Sequence, residues 1–378
     1  MITELCLGSF KAAHDLCLRI NNLTVLAGLN GSGKSSVLQA LSALKQSYYV
    51  EDPKALRLRG PLTQLGTFFD VHSENAETDF VKIQVGENGG VYKWIFQGEG
   101  GDSQPAFLEK PQDLPSFLKR GGFQLLPADR ITPKNSFQKS EADLDVGYLG
   151  PRGEYVVEYL LGEDAGRFVV SEGRQATNFG LHVTEDIIKK VAPTALLKDQ
   201  VSGWLQQLSP GVRVDVEELH GTDDVALKYG YVGRSGVNES DRRIRPGNVG
   251  FGLTYSLPIV VACLSAESGS LLLLENPEAH LHPQGQAALG ELIVRAAADG
   301  VQIVLETHSD HVLNGIRLAA KRRIISADSI SIHYLTRSIE DGFVYSQSPA
   351  VLEDGRISNW PPGFFDQWDI SIDALLEE

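Results

Sequence analysis

Four consecutive leucines, Leu271–Leu274, run straight into Glu275, Asn276, Pro277 and Glu278, and the block continues through Ala279, His280, Leu281 and His282 to Pro283. So short an apolar run cannot cross a bilayer and suits a fully buried parallel strand. Carboxylates at the tip of such a strand are costly unless they meet a metal ion, a cation or water. Open α/β sheets carry their ligand chemistry at that end of their strands. Far upstream, Gly28–Ser35 reads GLNGSGKS and fits G-x-x-x-x-G-K-[ST] without a mismatch. Together the two blocks predict a phosphate-binding α/β protein.

A length of 378 residues allows one large composite domain or two smaller ones. With 42% hydrophobic and 22% charged residues, the composition is that of an ordinary globular protein. No membrane span is expected, and the N-terminus MITELCLGSF lacks the basic region of a secretory signal. Cys6, Cys17 and Cys263 are odd in number and scattered. They read as small buried hydrophobes in a reducing compartment, neither disulfides nor zinc ligands, which places the chain in the cytoplasm. A formal charge of −15 argues against indiscriminate coating of nucleic acid but leaves one local groove open. The basic clusters Arg242, Arg243, Arg245 and Lys321, Arg322, Arg323 read as solvated or nucleotide-adjacent faces.

Along the chain, strands are expected at Ile2–Phe10, Asp15–Ile20 and Leu23–Ala27, and a helix from Ser35 to about Gln46. Strand, glycine-rich loop and helix give the motif its proper context. A hairpin is expected at Phe80–Val85 and Val91–Gln97, then a loop over residues 98–115. Short helices are expected at Glu154–Leu161 and around Leu196–Leu208. From Pro246 onward the pattern is helix Ser256–Ala266 with Pro258 in its first turn, strand Leu271–Leu274, helix Gln284–Ala298 and strand Val301–Leu305. Such alternation implies a parallel sheet covered on both faces. The expected division is residues 1–70, an insertion at 71–245, a second lobe at 246–340 and a terminal segment at 341–378.

The chemistry of the loop follows from its residue types. Backbone N–H groups around Asn30, Gly31, Ser32 and Gly33 and the following helix N-terminus converge on an anion. Lys34 is suited to the terminal phosphates, and Ser35, with Ser36 beside it, to magnesium. Glu275 is the candidate second anchor for the metal. Glu278 either polarises water or holds its loop. His308, in ETHSDH at the next strand end, is placed to contact a γ-phosphate or the attacking water. A rival reading gathers His280, His282, His308 and His311 with Glu306 and Asp310 as a zinc site, but leaves the phosphate loop unexplained.

The order of GLNGSGKSS, Gln64, NVGFG at 248–252, ENPEAHLHP and ETHSDH resembles the ABC-type ATPase heads, which include SMC, RecF-like and OLD (overcoming lysogenization defect) proteins. The chain is most similar to a bacterial group of AAA ATPases with a C-terminal domain of unknown function. RPGNVGFGLTYSLP, GVQIVLETHSDHVLNGIR and ISNWPPGFFDQ carry that likeness, with LLPADRITP and YLGPRGEY in the middle. The resemblance covers roughly residues 1–70 and 246–370. It implies an α/β P-loop NTPase of ABC-ATPase type, with a mostly parallel central sheet, an antiparallel β subdomain and a mixed helical insertion. It implies ATP and Mg2+ as cofactors. Gly28–Ser36 would be Walker A, Gln64 a Q-loop residue at the metal, Glu275 the Walker B acid and His308 the switch histidine. Gly250 and Gly252 would occupy the signature motif, with Gly250 in place of the usual serine. The resemblance implies a homodimer or higher homo-oligomer with ATP sandwiched between heads.

One departure stands out. ABC-type heads place Asp then Glu at the strand tip, the second being the base, whereas this chain has Glu275 then Asn276. An amide does not accept a proton at neutral pH. Either Glu278 or Glu306 substitutes, or hydrolysis is slow, with His308 positioning the water; slow hydrolysis is the favoured reading. OLD relatives carry a nuclease domain after the ATPase, and the about 40 residues after Arg337 are too few for one. The expectation is therefore a nucleotide-driven dimeric switch in anti-phage or foreign-DNA defence, with an effector in a partner protein and no membrane. The alternative is an ATP-dependent clamp or scaffold in DNA repair, and DNA stays open as a partner.

Overall fold

A computed structural model describes residues 1–98, 104–119, 121–140, 148–162, 168–176, 184–232 and 243–376. Its first strands are β1 (Ile2–Phe10), β2 (Ala13–Arg19), β3 (Leu23–Gly28), β4 (Val81–Glu87), β5 (Gly90–Gln97) and β6 (Ala106–Glu109). They continue with β7 (Phe123–Leu126), β8 (Ser136–Gln138), β9 (Val212–Glu218), β10 (Asp224–Tyr231), β11 (Leu271–Glu275), β12 (Gln302–Glu306), β13 (Ile330–Arg337) and β14 (Val344–Gln347). The chain forms two units: Met1–Arg120 with Gln302–Asp310 and Ser326–Glu378, and Gly121–Val301 with His311–Ile325.

The first unit holds an antiparallel sheet in the order β2-β1-β4-β5-β6. The β4–β5 hairpin turns at Asn88-Gly89, both at positive φ, as the sequence predicts. The stretch 98–115 is not all loop, because β6 pairs with β5 within it. The cysteine reading also needs correction. The β1–β2 register sets Cys6 opposite Cys17, with Cα atoms 4.1 Å apart, and the two form a disulfide. Spacing in sequence hid a pairing that the hairpin register creates. Cys263 does remain a buried free thiol, pushed up to about 12 by desolvation.

A second layer of the same unit runs β14-β13-β3-β12, in which β13 and β12 flank β3 in parallel and β14 closes it antiparallel. The Lys34–Ser47 helix directs Val37, Leu38, Leu41 and Leu44 inward, each at most 1% exposed. Burying each such side chain contributes about 1.5–3 kcal/mol. That face fixes the helix, and through it the loop that precedes it.

In the second unit, β7 and β11 pair in parallel, from Phe123↔Leu271 to Leu126↔Leu274. A separate antiparallel sheet has the order β8-β10-β9. Neither β9 nor β10 was anticipated, although VRVDVEE alternates as a half-buried strand should. The Phe251–Ser265 helix starts five residues earlier than the Ser256 expected from sequence, so Pro258 lies inside it and not in its first turn. Interior proline costs about 3 kcal/mol. Nearly complete burial of this helix offsets that cost, and the ring of Pro258 packs where only Gly153 leaves room. The Pro283–Ala298 helix begins at the proline that the sequence marks. Among the described residues no helix is long and apolar enough to cross a membrane.

Candidate functional site

In the first unit the site is built around the end of β3. Leu23, Val25, Leu26 and Ala27 are fully buried, and the chain leaves the sheet at Gly28 with φ 143°. A Cβ at Gly28 would lie 2.2 Å from the Leu335 carbonyl oxygen of β13, so only glycine lets the loop start there. Gly33, at φ 89°, is backed in the same way by Val344 of β14, 2.8 Å from where its Cβ would be. Between them Leu29 and Asn30 are exposed, and Gly31 opens onto free space.

Lys34 is 3% exposed, and its ammonium donates to the Gly28 and Leu29 carbonyls at 2.9 and 2.8 Å, curling the loop around itself. Gly33 caps the helix without a side-chain hydrogen bond, which leaves the first-turn N–H groups facing the loop. Ser32 Oγ is buried with no hydrogen-bond partner among the described residues. Ser36 is buried, its N–H on the Gly33 carbonyl at 3.1 Å. Ser35 Oγ donates to Glu306 Oε1 at 3.1 Å. Glu306 ends β12 opposite Leu26 of β3, followed by buried Thr307 and exposed His308. Gln64 is exposed, and its side-chain amide donates to the Gly60 carbonyl at 2.7 Å, closing its own turn. An orphan hydroxyl, uncapped N–H groups and a buried cation fit a polyphosphate, and the Ser35 and Glu306 oxygens fit a hard divalent ion.

The second unit carries the other block. Leu271–Leu274 are at most 2% exposed, and the half-buried Glu275 accepts a hydrogen bond from the Ala128 N–H at 3.1 Å. Burial raises the Glu275 carboxyl above the ordinary range, with the Ala128 N–H and the Arg130 charge opposing that shift. The chain then turns at Asn276, φ 44°, a left-handed conformation that asparagine tolerates. Asn276 Oδ1 is buried without a hydrogen-bond partner among the described residues. Glu278 is half-buried, and its carbonyl accepts from the Leu281 N–H at 3.1 Å. His282 caps the following helix through the Gln284 N–H.

Gly250 starts the Phe251–Ser265 helix, and a Cβ on Gly252 would meet the His280 carbonyl oxygen at 2.5 Å. The His280 ring lies 4.5 Å from Phe251 and 5.1 Å from Tyr255. Thus Gly250, Gly252 and the turn after Glu275 meet within one unit. Two residues here went unnoticed in the sequence: Arg130, whose guanidinium donates to main-chain oxygens of Glu275 and Asn276, and Tyr255, over which it lies. Arg130 sits in LLPADRITP, just after a buried strand, and that position was the available signal. Among the described residues no three or more His, Cys, Asp or Glu gather into a metal cluster of the kind the zinc reading requires. Arg243 pairs with Asp215 and Arg322 with Glu291, while Arg242 lies outside the described residues.

Residues 23–314 match the family described as "AAA domain, putative AbiEii toxin, Type IV TA system". Residues 325–375 match a second family, described as "Protein of unknown function (DUF3696)". No curated protein matches the chain. Among solved structures it is similar to an Smc head bound to the C-winged helix domain of ScpA, at 13% identity and TM-score 0.50, covering 93% of this chain and 98% of that one. It is also similar to a Pyrococcus furiosus Smc head with an extended coiled coil bound to the C-terminal domain of ScpA, at 12% identity and TM-score 0.51, covering 100% and 99%. These likenesses show the fold, an α/β head with mixed sheets like that of the Smc heads.

Proposed function

The chain belongs to the AbiEii-type AAA domain family, and from that premise we propose that it binds ATP with magnesium, hydrolyses it slowly and works as a nucleotide-driven dimeric switch. One observation carries the reading: a glycine loop between a buried strand and a helix, with Lys34 curled into it and Ser35 tied to Glu306. Lys34 would contact the terminal phosphates, with unbonded backbone N–H groups of the loop and of the first helical turn around them. Ser35, Glu275 and Gln64 would be the side chains that supply oxygens to the magnesium. When bound, the magnesium draws charge from the phosphate oxygens. His308 orients the attacking water. Asn276 accepts no proton, so turnover rests on Glu278 or Glu306 and stays low.

Gly250 and Gly252 form the surface that a second copy's nucleotide meets, which makes the ATP-bound form a dimer. The family's toxin–antitoxin description supports a defence setting against phage or foreign DNA, in which the effector would lie in a partner protein. A second reading, an ATP-held clamp or scaffold on DNA, draws on Asn276 alone. Titrating a fluorescent ATP analogue into wild type and Lys34→Ala, with light scattering to follow mass, tests the proposal. Saturable binding lost in Lys34→Ala, and an ATP-dependent doubling of mass, are expected. Equal affinity in both proteins refutes the loop assignment, and a constant mass refutes the dimer.

A further inference from the structure

Arg130 is 2% exposed, yet its hydrogen bonds go to main-chain oxygens. Nη1 donates to the carbonyls of Pro127 and Glu275 at 2.7 and 2.5 Å, Nη2 to that of Asn276 at 2.9 Å, and Nε to that of Tyr255 at 3.4 Å. Its Cζ lies 4.3 Å from the centroid of the Tyr255 ring. The Tyr255 hydroxyl donates to the Ala128 carbonyl, and the Ala128 N–H donates to the Glu275 carboxylate at 3.1 Å. The result is a closed circuit, from guanidinium to strand tip, from tip carboxylate to Ala128, and from Ala128 through Tyr255 back to the guanidinium.

Burying a guanidinium without a hydrogen-bonded carboxylate is expensive. Desolvation lowers its pKa to about 10, with Tyr255, Glu278 and Glu275 opposing, so the group stays charged at neutral pH. A neutral apolar side chain would fill this position at lower cost if packing were all that mattered. What an arginine adds is a rigid planar fork whose donors reach four separate carbonyls at once. Two of those carbonyls flank Asn276, the residue at which the chain leaves β11 and enters its left-handed turn.

We propose that Arg130, braced by Tyr255, is a positioning residue for Glu275: it locks the backbone at the end of β11 so that the carboxylate keeps one orientation toward magnesium. The inference rests on the reading of Glu275 as the magnesium anchor. Outer-shell groups that orient a metal ligand change metal affinity by about 10–100-fold when removed. Tyr255 extends the clamp to the helix that begins at Gly250. The turn carrying Gly250 and Gly252 and the tip carrying Glu275 are therefore set by the same two side chains.

The test uses the full chain as wild type, Arg130→Lys, Arg130→Met and Tyr255→Phe. Three quantities are measured: ATP-analogue affinity in EDTA, Mn2+ affinity in the nucleotide complex by electron paramagnetic resonance, and amide exchange across residues 271–282. Metal-free nucleotide affinity is expected within about twofold of wild type in every variant, because the loop at Lys34 is untouched. Mn2+ affinity is expected to fall by about tenfold or more in Arg130→Met and by less in Arg130→Lys, whose single ammonium nitrogen cannot span the four carbonyls that the guanidinium fork reaches. Exchange at residues 275–279 should rise in the same order, with Tyr255→Phe smallest. Unchanged Mn2+ affinity in Arg130→Lys beside a lowered melting temperature makes Arg130 a fold staple and overturns the proposal. If Arg130→Met does not fold, Arg130→Lys and Tyr255→Phe decide the matter. A wild type that binds nucleotide but no Mn2+ defeats the Glu275 assignment itself, an outcome distinct from a clamp that fails.

Discussion

The Ser35 hydroxyl donates to Glu306 at 3.1 Å, joining the first turn after the phosphate loop to the end of the strand beside it. With its proton directed at the carboxylate, Ser35 turns its lone pairs elsewhere, which is what a magnesium ligand requires. Glu306→Gln keeps an acceptor oxygen and should hold the magnesium requirement within about twofold of wild type. Glu306→Ala removes the acceptor and should raise that requirement by about tenfold. Phosphate release measured against magnesium concentration checks both. A Glu306→Gln enzyme that binds magnesium normally but does not turn over would make Glu306 the proton acceptor instead.

Asn276 answers to two demands. Its φ of 44° favours asparagine, aspartate or glycine, and its amide leaves the strand tip without a base. Asn276→Asp meets the backbone demand and restores a carboxylate, so turnover should rise by about tenfold or more with little loss of stability. Asn276→Glu should also turn over faster but melt earlier, since a longer side chain in that conformation costs about 1 kcal/mol. Single-turnover phosphate release and thermal unfolding read the two effects separately. No gain in either variant would mean that turnover is not limited by proton acceptance at this tip.

Lys45 gives the fold a pH dependence of predictable sign. It is 7% exposed, donates to the Phe117 and Lys119 carbonyls, and is lowered to about 8 by burial. An unfolded lysine titrates near about 10.4. Between those values the unfolded chain holds a proton that the folded chain has released, so stability rises with pH across that window. Below it both states are protonated, and the burial penalty is constant. Urea unfolding of wild type and Lys45→Met should therefore diverge in favour of wild type between about pH 8 and about pH 10. A difference that stays flat over that range would show that Lys45 is not desolvated.

Strong local patterns were legible in the sequence. The leucine run of β11, the glycine loop and the helix after it appear where hydrophobic pattern and turn chemistry place them, because each is determined within about a dozen neighbouring residues. What escaped depends on distance. Arg130 meets Glu275 across 145 positions, and the Cys6–Cys17 bond exists only once the β1–β2 register is set. The start of the Phe251–Ser265 helix was misjudged because Gly250 caps it without a side-chain signal. Asn276 was legible as chemistry and illegible as backbone, since nothing in the letters reports a φ.

The glycines of the phosphate loop rest on residues of a separately matched segment. Gly28 and Gly33 lie within the segment matched by the AAA family, whereas Leu335 and Val344, which occupy the space behind them, lie within the segment of unknown function. A gene that lost the second segment would keep every phosphate-loop letter of the first, yet leave the loop without a wall. The shape of the phosphate loop thus depends on a stretch that holds none of the loop's own motif residues.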